Sequence, residues 1–166
     1  MSGAHSRLRV VIFEDLQCPD SAAFGIMLHE KLLPKYASRV DFERRDFPLP
    51  KHDWARAAAM ASRYIASVKP DLNVEFRDYV LVHQPEIDSY NFTEILAHFA
   101  KQHGIDPEEA IKALENAELD AAVQRDIDEG TARGVSKTPT VFVNGQPFVE
   151  QFSYHSIAHA IDSAPM

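Results

Sequence analysis

Four consecutive apolar residues, Val10, Val11, Ile12 and Phe13, interrupt a polar chain start. A short apolar run without alternation predicts a strand buried on both faces, here over 8–13. From Phe24 the apolar positions change period. Phe24, Met27, Leu28 and Leu32 share one face of a helix predicted over about 19–31 and ended before Pro34. Residues 40–45 alternate, with Val40 and Phe42 opposed to Asp41 and Glu43. That pattern predicts a second strand with one wet face. A helix between two strands implies parallel pairing through a right-handed crossover. Phe47-Pro48-Leu49-Pro50 ends the strand, because proline cannot donate to a ladder.

Helical periodicity then holds over about 53–133. Trp54, Ala58, Ala61, Ile65 and Val68 form one stripe. Phe76, Tyr79, Val80 and His83 mark a further helix stopped near Pro85. Residues 91–102 bury Phe92, Ile95, Leu96 and Phe99 behind an Asn91/Glu94 capping box. Asp106-Pro107-Glu108-Glu109 is a strong helix start, leading to a short helix through 114. Another spans about 118–132 with Leu119, Val123 and Ile127, and Gly134 closes it. Residues 140–143 read as a third strand, and Asn144-Gly145 as a hairpin turn. Pro147 places the fourth strand, around Phe148-Val149, at an edge. Ser153 caps a last helix with Tyr154, Ile157 and Ile161 inward. The order β-α-β, helical insertion, β-β-α predicts an α/β (α+β) domain with a mixed sheet.

The chain length of 166 residues fits one domain, expected over 7–163 behind a flexible leader at 1–6. A formal net charge of −8 argues against nucleic-acid and anionic-membrane partners. No apolar run approaches the roughly 20 residues of a membrane span, and residues 1–9 lack the apolar core of a signal peptide. His155 and His159 stand at i, i+4 without a third ligand, so no metal site is expected.

The chain holds one cysteine, Cys18. It follows the first strand and precedes Pro19, a residue suited to the first helical position. Unpaired backbone N–H groups and the positive helix end there favour a thiolate. Glu14, Asp15 and Asp20 lie close in sequence and oppose it. One cysteine excludes an intrachain disulfide. The thiol is therefore either reactive or an inert core residue, and its place at a strand-to-helix junction favours reactivity.

Phe13-x-Asp15-x-x-Cys18-Pro19 and, far downstream, Thr138-Pro139-Thr140-Val141-Phe142-Val143-Asn144-Gly145 resemble the DsbA-like branch of the thioredoxin superfamily. The resemblance runs from about residue 7 to 162. It implies a thioredoxin-like fold, a four-stranded mixed sheet with an all-helical insertion, and a cis Thr138–Pro139 bond packed against the cysteine. It also implies a groove for extended peptides beside that proline. The chain departs from the family at position 21, where serine replaces the second cysteine, giving C-P-D-S. Ser21 is expected to hydrogen-bond the Cys18 sulfur or to serve the first helical turn. It reads equally as a native residue or a trapping substitution. Asp20 stands where strongly oxidising relatives carry histidine. Asp15 is expected either to relay protons or to be a solvated loop carboxylate. Ile12 stands where thioredoxins proper bury an acid.

These residues lead to a monothiol exchange protein with Cys18 as nucleophile and Ser21 assisting. Pro19, Asp20, Asp15 and Glu14 support the site, and Thr138 and Pro139 frame the substrate. Expected partners are cysteine-containing proteins or a redox partner, with glutathione as a candidate co-substrate and no other cofactor. A non-catalytic peptide-binding or chaperone-like module and a kappa-type glutathione transferase or isomerase are the alternatives. The resemblance favours a periplasmic or exported location, and a cytoplasmic one stays open.

Overall fold

The apolar run at the chain start lies at the middle of β1 (Leu8–Glu14) in the computed structural model, which describes residues 7–165. The expected leader at 1–6 lies outside the described residues. Val10, Val11, Ile12 and Phe13 are all buried. Alternation divides them between the two faces of the sheet. Val10 and Ile12 pack with Phe24, Leu28, Leu32 and Ile157, whereas Val11 and Phe13 pack with Phe47 and Val135. This two-sided burial explains the unbroken apolar run.

β1 pairs in parallel with β2 (Val40–Asp46) and antiparallel with β3 (Thr140–Val143). β3 pairs antiparallel with β4 (Gln146–Val149), giving the order β2-β1-β3-β4. Asn144 and Gly145, at φ 49° and 80°, supply the two positive dihedrals that a tight hairpin needs. Pro147 lies on edge strand β4, where its missing donor costs nothing inside the sheet.

α1 (Pro19–Met27) does not stop at the expected point. It passes through a π turn, Leu28–Leu32, into α2 (Leu33–Tyr36) and so runs past Pro34. In a regular α-helix the proline ring would clash with the carbonyl four residues back. The π turn shifts the bonding register just before it, with Leu33 N–H donating to Leu28 O. Pro34 thus falls in the first turn of α2, where no N–H is required.

The insertion comprises α3 (Ala55–Val68), α4 (Leu72–His83), α5 (Phe92–Gln102), α6 (Pro107–Lys112) and α7 (Ala117–Ala132). Its core joins Trp54, Ile65, Phe76, Val80, Leu96 and Phe99. Val68, assigned to the apolar stripe, is instead exposed near the end of α3. Asp106 caps α6, accepting from the N–H of Glu108 at 2.9 Å, and Asn116 caps α7 in the same way. The Asn91 capping box does not form. The Asn91 side chain turns back to the preceding loop, accepting from Asp88 N–H and donating to Glu86 O, both at 2.8 Å. α8 (Tyr154–Ser163) starts at Ser153, whose hydroxyl accepts from Ser156 N–H.

α7 lies against the sheet through Gly130. A Cβ there would come within 2.9 Å of the Phe13 and Phe47 rings, which meet edge to face at 6.2 Å. Gly130→Ala should therefore destabilise by about 1–3 kcal/mol despite alanine's better helix propensity. A lower urea midpoint at unchanged slope checks this.

Candidate active site

Cys18 occupies the N-cap of α1 in extended conformation, with Pro19 at the first helical position. Its N–H donates to Asp15 O at 3.0 Å, which closes the turn after β1. Its carbonyl accepts twice, from Ala22 N–H at 3.1 Å and from the Gln84 side chain at 3.0 Å. Gln84 also donates to Leu16 O at 2.7 Å, and so straps the active-site turn to the end of α4. Leu16, 2% exposed, plugs the same turn into the insertion core.

The thiol points across the fold. Cys18 Sγ donates to Thr138 O at 3.4 Å, joining residues 120 positions apart. The Thr138–Pro139 peptide is cis, and both residues are buried. Cys18 as a whole is buried, at 7% exposed. Thr138 Oγ1 is buried and has no partner among the described residues.

Asp15 is the hub of the turn, and it is buried rather than solvated. One carboxylate oxygen accepts from Gln17 N–H at 2.8 Å. The other accepts from Leu49 N–H at 2.7 Å and meets His52 Nδ1 at 2.6 Å. Gln17 extends the clamp by accepting from Trp54 N–H and donating to Asp53. The loop after β2 is thereby fastened to the cysteine turn. Ser21, also buried, does not hold the sulfur. Its hydroxyl accepts from Asp15 N–H at 3.2 Å, so the expected bond to Cys18 is corrected.

Glu14 likewise leaves the group of carboxylates facing the thiol. It is buried and bonded at 2.7 Å to both Arg44 and Arg77. Arg77 continues to Asp46 at 2.6 Å, Asp46 meets Arg63 at 2.7 Å, and Arg63 reaches Asp126. Arg44 adds Asp78 at 2.8 Å. This ionic chain runs from the end of β1 through β2 into α3, α4 and α7. Burial alone would raise the Glu14 pKa, but the charges and hydrogen bonds of Arg44 and Arg77 outweigh it. The carboxyl is held below its usual range. Burial likewise opposes the charge on Arg77, and Asp46 with Glu14 outweighs it, holding the guanidinium charged.

The structure thus brings Cys18, Pro19, Asp20, Thr138 and Pro139 to one place. Ser21 and Asp15 lie behind the cysteine, and Glu14 points into the ionic chain. His52, Gln17, Gln84, Arg44 and Arg77 were missed by the sequence reading. An arginine beside buried Phe76 on α4 was the one available signal, since a charge there requires a buried partner.

Strand order, the proline loop and the N-capping cysteine define a thioredoxin-like fold with a helical insertion. The family model described as Thioredoxin matches residues 4–163, and the chain belongs to that family. The structure of BdbD from Bacillus subtilis, in oxidised form, superposes with a TM-score of 0.85 at 23% identity, covering 98% of this chain and 89% of that one. Disulfide bond formation protein D of Bacillus subtilis is 25% identical over 156 residues, covering 92% of this chain and 70% of its own length. Na(+)/H(+) antiporter NhaA 3 of Salinispora tropica is 28% identical over 156 residues, which are 93% of this chain. The match takes in only 23% of the antiporter's length.

The ionic chain makes stability depend on pH with a definite sign. A carboxyl whose folded pKa is depressed contributes above its unfolded value, about 4.3, and loses that contribution as pH falls through the folded value. Glu14→Gln should cost about 3 kcal/mol or more at pH 7, because two buried guanidinium groups lose a shared anion. The gap between wild type and variant should narrow below about pH 4. Urea unfolding across pH 3–7 gives both results.

Proposed function

We propose that the protein is a monothiol thiol–disulfide exchange enzyme acting on cysteine-containing proteins, with Cys18 as the nucleophile. The observation that carries this reading is the Cys18 sulfur at the N-cap of α1, 3.4 Å from Thr138 O in the cis-proline loop. The name of the relative concerned with disulfide bond formation supports the same class of chemistry.

The cycle balances without a second protein thiol. The Cys18 thiolate attacks one sulfur of a substrate disulfide, forms a mixed disulfide and releases the other sulfur as a thiolate. An external thiolate then attacks the mixed disulfide. That thiolate belongs to a second cysteine of the substrate or to a small thiol of the glutathione class. A new disulfide leaves and the Cys18 thiolate returns. Electrons pass between substrate sulfurs, and the enzyme ends as it began. Ser21 cannot take the resolving step, because its hydroxyl is a weak nucleophile towards sulfur and is already bonded to Asp15 N–H. The Thr138–Pro139 loop frames an extended substrate segment. Asp15 acts as a positioning residue that keeps the turn closed beneath the sulfur.

Insulin reduction with glutathione as the external thiol tests the reading. Cys18→Ala should fall to the uncatalysed rate. Equal rates for wild type and variant would leave a non-catalytic binding module instead. Ser21→Cys should gain an internal disulfide, seen as the loss of two titratable thiols on oxidation. Its release of substrate should no longer depend on external thiol concentration.

A further inference from the structure

We propose that the cleft between β2, α3, α4 and α7 is a binding site for a small oxyanion of the phosphate or sulfate type. The proposal stands apart from the exchange chemistry, because Cys18 does not line this cleft.

The cleft has a volume of about 430 Å³, and its charged lining is Arg44, Arg63, Arg77 and one carboxylate, Asp46. Arg77 is 4% exposed. Its Nε donates to Glu14 at 2.7 Å, and Glu14 does not line the cleft. Its Nη1 donates to Asp46 at 2.6 Å and to Ser62 at 3.2 Å, both of which do. The guanidinium therefore enters the cleft by its Nη end. Nη2, on the same carbon, is buried and has no partner among the described residues. A buried donor left without an acceptor is uncommon and costly, and a guanidinium nitrogen more so than a neutral one.

A single water would supply Nη2 with an acceptor, but the same cleft presents further uncommitted donors. Arg63 spends Nε on Asp46 and Nη2 on Asp126, which leaves Nη1 without a partner among the described residues. The Ser62 hydroxyl accepts from Arg77 and donates to no group among them. The Asn73 side-chain amide, also in the lining, bonds to none of them. Asn73 is the second residue of α4, so the positive end of that helix adds to the same side. Acceptors are scarce by contrast. Asp46 is the one lining carboxylate, and Arg77 and Arg63 already hold its two oxygens. Glu14, Asp78 and Asp126 offset charge on these arginines but do not line the cleft. Donors thus converge from two helices on a space with no free acceptor. An ion bearing several oxygens at tetrahedral angles answers them together, and guanidinium groups match oxyanion geometry. The volume leaves room for such an ion with waters beside it.

The probe is inorganic phosphate, titrated into the protein at constant ionic strength with NaCl as balance. Calorimetry should show one saturable site, and Tm should rise by about 4 °C at ten times the dissociation constant. Phosphate also stabilises proteins by exclusion from their surface, an effect that grows without saturating, so saturation separates the two. Sulfate should compete with phosphate, and chloride should not. Asn73→Asp places a carboxylate in the lining, yet suits the first turn of α4. That variant should keep the ion-free Tm or raise it, and should bind phosphate at least about tenfold more weakly. The wild-type titration needs no variant to fold. No saturable binding up to about 50 mM phosphate overturns the proposal. Equal affinity in wild type and Asn73→Asp places the ion elsewhere and overturns it as well.

Discussion

Every donor and acceptor at Asp15 is committed. Its N–H goes to Ser21, its carbonyl receives Cys18 N–H, and its two carboxylate oxygens hold Gln17, Leu49 and His52. A turn between a strand and a helix ordinarily has several soft dihedrals. Here one buried carboxylate removes that freedom from both sides, so the sulfur is held where Thr138 O meets it. The arrangement matters because exchange at sulfur needs an attacking atom held in place, and a fixed turn meets that cost during folding rather than at each encounter.

The ionic chain carries the same constraint outward. Glu14 is the last residue of β1, and its arginine partners come from β2 and α4. Asp46, Arg63 and Asp126 extend it to α3 and α7. The helical insertion has its own apolar core, distinct from those on the two faces of the sheet. Apolar contact is non-directional and would let two such bodies slide. Charged hydrogen bonds of fixed geometry set one register between them. Buried ion pairs add little net stability over apolar replacements, so orientation is the better account of their presence here.

Much of the fold was legible because period and punctuation agree along the chain. The double-sided burial of β1, the Asn144-Gly145 hairpin and the Asp106 cap each follow from residues adjacent in sequence. Errors arose where a local signal met a non-local competitor. Pro34 looked like a stop because a π turn cannot be read from composition. Asn91 looked like a cap, but the loop before α5 claimed its side chain. At the site, Cys18-Pro19 and Thr138-Pro139 were legible as motifs. The clamp behind them was not. Its partners are scattered over residues 14–126, and nothing local distinguishes Asp15 as a buried hub from Asp15 as a wet loop residue.

Position 21 shows how this chain departs from a dithiol site. A cysteine there would lie one helical turn beyond the nucleophile, placed to expel a bound substrate. The serine that stands there is fully buried and accepts the Asp15 N–H. Sulfur is a weaker acceptor than a hydroxyl oxygen, so a cysteine would hold that N–H less well. Loss of the resolving thiol is thus coupled to a gain in rigidity at the same turn. On the exchange reading proposed above, a nucleophile with no internal thiol partner leaves the lifetime of each mixed disulfide to whatever thiol arrives from outside. The groups lining its approach then matter more than they would in a protein that releases its own substrate.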